Sequence, residues 1–131
     1  MRTNTLISGA SAGLGAGMAR ILAAQGHNLA LTARRVDRLD KLKAELEAAN
    51  PSITVSTHRM DVDDADSVFA GFAEAIAVHG HLDRVIVNAG LGKGARIGTG
   101  GFKANRDTGI TNVLGALAQS EAAMEHFYER K

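Results

Sequence analysis

No cysteine occurs in the chain, which removes a disulfide framework, a thiol nucleophile and any cysteine metal site, and leaves the redox compartment open. An excess of one charge is missing too. Fifteen Lys and Arg against 14 Asp and Glu leave a formal net charge of +1, with no electrostatic footprint for nucleic acid or an anionic membrane. A small molecule is therefore the expected partner. Nor is there a long hydrophobic run. Met1-Arg2-Thr3-Asn4-Thr5 leads into an apolar stretch too short for a secretory signal or a membrane span, and a cytoplasmic location is expected. The five histidines are dispersed, so no metal site is inferred; His79 and His81 flank a helix end, where positive charge suits the dipole. Repeats and low-complexity linkers are absent. With 131 residues, 45% of them hydrophobic, the chain can bury one ordinary core, and residues 1–131 are expected to form a single domain.

Glycine, by contrast, is plentiful, at 15 residues, and it punctuates an alternation of short apolar runs with stretches of helical period. Thr5-Leu6-Ile7 reads as a buried strand, followed by a helix in which Leu14, Met18, Ile21 and Leu22 recur up to a C-cap at Gly26. Leu29-Ala30-Leu31-Thr32 is a second strand. The next helix shares Leu39, Leu42 and Leu46 on one face, carries Asp37 and Lys41 as an exposed i,i+4 pair, and is stopped by Asn50 and the single proline, Pro51. Ile53-Thr54-Val55 makes a third strand. Asp63 or Asp64 then caps a helix that turns Val68, Phe69, Phe72 and Ile76 inward. Leu82 to Val87 is the fourth strand. The segment from Leu91 to Gly101, with five glycines, reads as a mobile loop ahead of a last amphipathic helix with Ile110, Val113, Leu114, Leu117 and Met124. Strand-helix alternation of this kind predicts a parallel α/β sheet.

The stretch Ser8-Gly9-Ala10-Ser11-Ala12-Gly13-Leu14-Gly15 fits two chemistries. As G-x-S-x-G it matches a serine-hydrolase elbow with Ser11 as nucleophile, and Asp83 and His126 follow in triad order. As a glycine-rich loop between a first strand and a first helix it matches a phosphate cradle, in which backbone amides and the helix dipole face the anion. Only one strand precedes the loop, whereas an elbow sits deep in a sheet, so the phosphate loop is favoured and the esterase remains a remote alternative. Gly9 and Gly15 then serve close approach and a tight turn, Gly13 close packing, and Ser11 either lines the loop or caps the helix.

Together with Ala33-Arg34-Arg35 after the second strand, Asp61-Val62 after the third, Asn88-Ala89-Gly90 after the fourth and Asn112 in the last helix, this loop resembles the short-chain dehydrogenase/reductase family. The resemblance covers essentially the whole chain but only the amino-terminal part of a complete member. Two positions depart from the pattern: Ser8 stands where Thr is usual, and Val87 where many members have Asn. The implied fold is a Rossmann-like doubly wound parallel sheet, truncated at about four strands in the order 3-2-1-4, with flanking helices. The implied activity is hydride transfer between a nicotinamide cofactor and a carbonyl or alcohol.

By that resemblance the cofactor-binding residues are Ser8, Gly9, Ser11, Gly13, Leu14, Gly15, Arg34, Arg35, Asp61, Val62, Asn88, Ala89 and Gly90. NADP(H) is favoured over NAD(H), because Ala33 occupies the site of the acidic residue common in NAD-using relatives, and the guanidinium of Arg34 can pair with a 2′-phosphate. Asn112 is the catalytic candidate, one of a tetrad with Ser, Tyr and Lys. Those three partners are absent. Tyr128 and Lys131 are separated by two residues rather than three and lie on the Asn112 helix, so they do not replace the Tyr-x-x-x-Lys pair. Without that proton donor the 131-residue chain is expected to turn over poorly. A proteolytic fragment, the first part of a longer chain and a naturally short NADP-binding module all fit. Termination at Glu129-Arg130-Lys131 suits cleavage after a basic residue and favours a fragment. An exposed edge at the fourth strand, together with the second apolar face that the resemblance implies the last helix packs between subunits, makes a homo-oligomer the expected assembly.

Overall fold

The computed structural model describes residues 3–130, so Met1, Arg2 and Lys131, used above for the start of the chain and the Tyr128 spacing, lie outside the described residues. In chain order the elements are β1 (Asn4–Ser8), α1 (Gly13–Ala24), β2 (Asn28–Ala33), α2 (Val36–Ala49), β3 (Val55–Arg59), α3 (Ala65–His79), β4 (Arg84–Ile86), α4 (Phe102–Gly109), a π-helical turn (Ile110–Leu114) and α5 (Gly115–Glu129). All four strands are parallel, in the order β3-β2-β1-β4, with Leu6 opposite Ala30 on one side and Val85 on the other.

The pleat divides the core. Successive strand residues point to opposite faces, so Ile7, Leu29 and Leu31 join Leu22, Leu39 and Leu46 under α1 and α2. Leu6 and Ala30 face the other way, toward Val68, Phe72, Leu82 and Ala122 under α3 and α5. This two-sided cover is what lets a parallel sheet read as continuous apolar runs.

Element ends follow local chemistry. Gly26, at φ +87°, lies one residue beyond the C-cap Gln25. There the amides of Gly26 and His27 bond to the carbonyls of Ala23 and Leu22, a Schellman closure. Asp64, not Asp63, caps α3, its Oδ1 accepting the Asp66 amide at 3.0 Å. Asp37 lies 4.0 Å from Arg35 rather than paired with Lys41.

Five larger expectations are corrected. β3 begins at Val55, because pairing to β2 opens with Leu29 opposite Val55; Ile53 is buried in the core just before the ladder. On α1 the buried residues are Gly15, Ala16, Ala19, Leu22 and Ala23, while Leu14 and Ile21 are exposed. The last helix is likewise turned over: Thr111, Gly115, Gln119, Ala122, Ala123 and His126 are buried, and Val113, Leu114, Leu117 and Met124 are exposed. Close approach explains both, since a Cβ on Gly115 would lie 2.8 Å from the Val62 carbonyl oxygen. Phe69, expected inside, is also exposed.

His79 is the fifth. Burial, then the neighbouring His58 ring, lowers its pKa below the ordinary 6.5, with His81 adding to the effect against an opposing backbone hydrogen bond with Leu29. Its Nε2 lies 2.8 Å from Ser56 Oγ, which also meets His58 Nε2 at 2.8 Å. At the end of α3 this half-buried histidine joins a hydrogen-bond chain with Ser56 and His58, and its lowered pKa weakens the helix-end charge expected of it.

Candidate functional site

The carboxyl ends of the strands open on a cleft of about 500 Å³, lined by Gly9 and by residues from Ser11 to Leu14, Thr32 to Arg35, Met60 to Asp63 and Asn88 to Leu91, with Thr111 on the helix side. It lies where the strand order reverses at β1, between β2 and β4, the position at which open α/β sheets hold ligands.

Its floor is backbone packed on backbone. Gly9 has φ +63°, and a Cβ there would come within 2.8 Å of Ala89 Cα. At Gly15 a Cβ would lie 2.3 Å from the Gly9 carbonyl oxygen, whereas at Gly13, φ +57°, it would meet nothing within 4 Å. Close packing therefore belongs to Gly15 and left-handed conformation to Gly13, the reverse of the expected division.

Ser8 and Asn88 fasten this floor. The buried Ser8 hydroxyl accepts the amides of Asn88 and Ala89, each at 3.0 Å. The Asn88 carboxamide returns bonds to the carbonyls of Ser8 and Gly9 at 3.1 and 3.3 Å. Both side chains are occupied in joining the loop after β1 to the end of β4. Ser8 and Gly15 thus stand behind the cleft, while Gly9, Ser11, Gly13, Leu14, Ala89 and Gly90 line it.

Helix α1 points its amino end into the cleft. Its N-cap is Ala12, with no side-chain capping bond, so Ser11 is not the cap, and the first-turn amides remain available to an anion. Arg34 and Arg35 are exposed at the end of β2; Arg34 lines the cleft and, among the described residues, has no ion-pair partner. Asp61 lines the third side, with its Oδ1 accepting the Asp63 amide at 3.0 Å, so it is a turn residue as well. Val62 packs toward Gly115.

Asn112 sits in the π-helical turn. Its Oδ1 accepts the Leu91 amide at 2.7 Å and its Nδ2 donates to the Leu91 carbonyl at 2.8 Å. The carboxamide is therefore committed to the strand-end segment. Sequence reasoning missed Thr111, whose hydroxyl donates to Asp63 and which closes the cleft from the helix; its one signal is adjacency to Asn112.

The remaining candidates are dispersed. Asp83 accepts the Asn4 amide at 2.9 Å, and His126 accepts the Leu82 amide at 2.9 Å, both at the amino edge of the sheet. Ser11 follows the opposite end of β1, a five-residue strand about 13 Å long at ~3.3 Å per residue. No Ser11-His126-Asp83 triad can form. Among the described residues no group of three or more metal-ligating side chains occurs, and no helix is long and apolar enough to cross a membrane.

Comparison with known proteins agrees with this geometry. The short chain dehydrogenase family model matches residues 3–131. An uncharacterized oxidoreductase of Mycobacterium tuberculosis is 54% identical over 129 residues, covering 98% of this chain and 51% of that protein. Human dehydrogenase/reductase SDR family member 11 is 30% identical over 125 residues, 95% of this chain and 48% of its own length. Among solved structures, an alcohol dehydrogenase from Thermococcus sibiricus, complexed with 5-hydroxy-NADP, superposes with a TM-score of 0.92 at 33% identity, covering 98% of this chain and 55% of that one. The chain spans about half the length of the relatives it matches. An α/β sheet with its glycine cradle at the switch point, and a family model spanning residues 3–131, together place the chain in the short-chain dehydrogenase/reductase family of oxidoreductases.

Proposed function

We propose that this chain is the nucleotide-binding half of an NADP(H)-preferring enzyme that interconverts carbonyl and alcohol groups on a small molecule. The observation that carries the preference is Arg34, exposed on the cleft wall directly after β2, beside Ala33 and without an ion-pair partner among the described residues. A carboxylate at that strand end would repel a 2′-phosphate, whereas a guanidinium binds it by charge-assisted hydrogen bonds. Two similar proteins support the choice: the Thermococcus enzyme above and a metagenomic short-chain oxidoreductase in complex with NADP, 27% identical with a TM-score of 0.87.

The residues fit such a group. Uncapped amides of α1 would bind the diphosphate, the cradle at Gly9 leaves room for backbone approach, and Asp61 and Val62 would border the adenine. Asn88, Ala89 and Gly90, which line the cleft, would form the floor beneath the nicotinamide ribose. When bound, the nicotinamide supplies or accepts hydride. Asn112 acts from behind, holding Leu91 at the cleft wall and completing a tetrad whose Ser and Tyr-x-x-x-Lys members these 131 residues do not contain. The chain alone then binds nucleotide with poor turnover. The complete enzyme is proposed to be a cytoplasmic homo-oligomer, with the exposed apolar side of α5 at its subunit contact and with neither nucleic acid nor membrane as partner.

Arg34→Asp tests the assignment. NADPH affinity should fall about 10- to 100-fold, as expected for a lost charge-assisted pair, with NADH affinity retained. Equal loss of both nucleotides, measured by titration calorimetry, would show that Arg34 supports the fold and not the phosphate.

A further inference from the structure

The glycine-rich segment from Leu91 to Gly101 does not lie loose over the cleft. It is pinned at two points to one helix. Asn112 holds Leu91 through both backbone groups, and the Oδ1 of Asn105, in α4, accepts the Ala95 amide at 2.6 Å. Seven residues, about two helical turns, separate the two asparagines, which places them on one side of the helix. Asn105 is half-buried, and its own amide bonds to the Gly101 carbonyl at 3.1 Å, so one residue fastens both the outgoing and the returning strand of the segment.

Packing closes the same point. A Cβ at Gly101 would lie 2.2 Å from the Ala95 Cβ, so the two stem residues touch only because one is glycine. Beyond the stem, the Thr99 amide and hydroxyl bond to the Arg96 carbonyl at 3.3 and 2.6 Å, while Gly98 and Gly100 turn the chain at φ +87° and +82°. The excursion is thus a closed turn with Ile97 84% exposed at its tip. A segment five-elevenths glycine would otherwise sample many conformations.

We infer that Asn105 is a positioning residue: by clamping Ala95 to Gly101 it makes the segment after β4 a fixed wall on the substrate side of the cleft rather than a mobile lid. This rests on the proposed oxidoreductase reading, because the wall matters to turnover only if substrate meets the cofactor beside Leu91. The clamp itself does not.

The full-length protein offers a direct assay, since Lys93 and Arg96 bracket Ala95 and are exposed trypsin sites. Asn105→Ala should speed cleavage after these residues about tenfold, as loss of one hydrogen bond to a part-buried amide raises local opening. Asn105→Asp keeps an acceptor oxygen and should remain close to the parent rate. With NADPH and an aromatic diketone as probe, Asn105→Ala should raise KM with kcat and NADPH affinity little changed, and Asn105→Asp should restore it. Equal cleavage of parent and Asn105→Ala would overturn the clamp; faster cleavage with a parental KM would overturn the positioning role. If the parent protein failed to bind NADPH, the proposed function would fall, while the cleavage rates would still decide the clamp.

Discussion

Gly13 and Gly15 are two residues apart and are glycine for unrelated reasons, which sets up a contrast in their alanine variants. Gly13→Ala adds a methyl group into open space, so only the φ of +57° opposes it, a cost of about 1–2 kcal/mol. Gly15→Ala drives a methyl group to 2.3 Å from the Gly9 carbonyl and cannot be absorbed without moving the cradle. Urea denaturation should show the second variant more destabilised than the first, and nucleotide affinity should fall at least about tenfold for Gly15→Ala. The positions of these glycines were plain from their spacing after an apolar strand. Their division of labour was not, because it depends on Ala89 and Asn88, which reach the loop from almost 80 residues away. Ser8 is similar: its hydroxyl could be read as a ligand contact, yet its partners are two backbone amides at the end of β4. Spacing reveals where backbone must come close, but not which backbone arrives.

At the scale of elements, strands were easier to read than helix faces. Leu6, Ile7, Leu29 and Leu31 are continuous apolar runs, and only a sheet covered on both sides gives each a buried place. Hydropathy misleads on α1 and α5 because it weights large side chains, whereas the helix side nearest a sheet is selected for small ones. The π-helical turn has no apolar period of its own; an asparagine inside an otherwise apolar helix was its one trace. The start of β3 was displaced because register with β2, rather than local composition, decides where pairing opens. The Ser56-His58-His79 chain was invisible, joining one strand to the end of one helix. It carries a pH prediction. The folded state depresses the His79 pKa below its ordinary 6.5, so the neutral ring is favoured on folding. Its contribution is complete above pH 6.5 and is lost as pH falls through the lower folded value. Thermal melts should therefore show a midpoint that drops between about pH 7 and pH 5 in the parent, and drops less in His79→Gln. Identical slopes in the two proteins would remove His79 as the cause.

For the whole molecule, exposed apolar surface is concentrated on the last helices, where Phe102, Val113, Leu114 and Leu117 are each more than half exposed. Surface of this kind is rarely left to water. If the proposed homo-oligomer packs through this face, Leu117→Glu should weaken self-association by about tenfold or more, read by analytical ultracentrifugation across a dilution series. Its melting temperature at high dilution should stay near the parent value. An unchanged dissociation constant would place the subunit contact elsewhere. The four-strand order could be read from motif order and resemblance, and the resemblance also implied a second apolar face on the last helix; which residues form it could not be read, since the same leucines and valines would serve equally well in a core. The sheet order also has a temporal consequence. Asn4 at the start of β1 bonds to Asn28, 24 residues on, but to Asp83 only across 79 residues. During synthesis β1 can therefore acquire its β2 neighbour early, while its other edge waits for most of the chain to emerge. Because Asn88 and Ala89 complete the cradle floor, the ribosome must deliver them before the first glycine loop has anything to rest on, and a nucleotide cannot chaperone the earliest stage of folding.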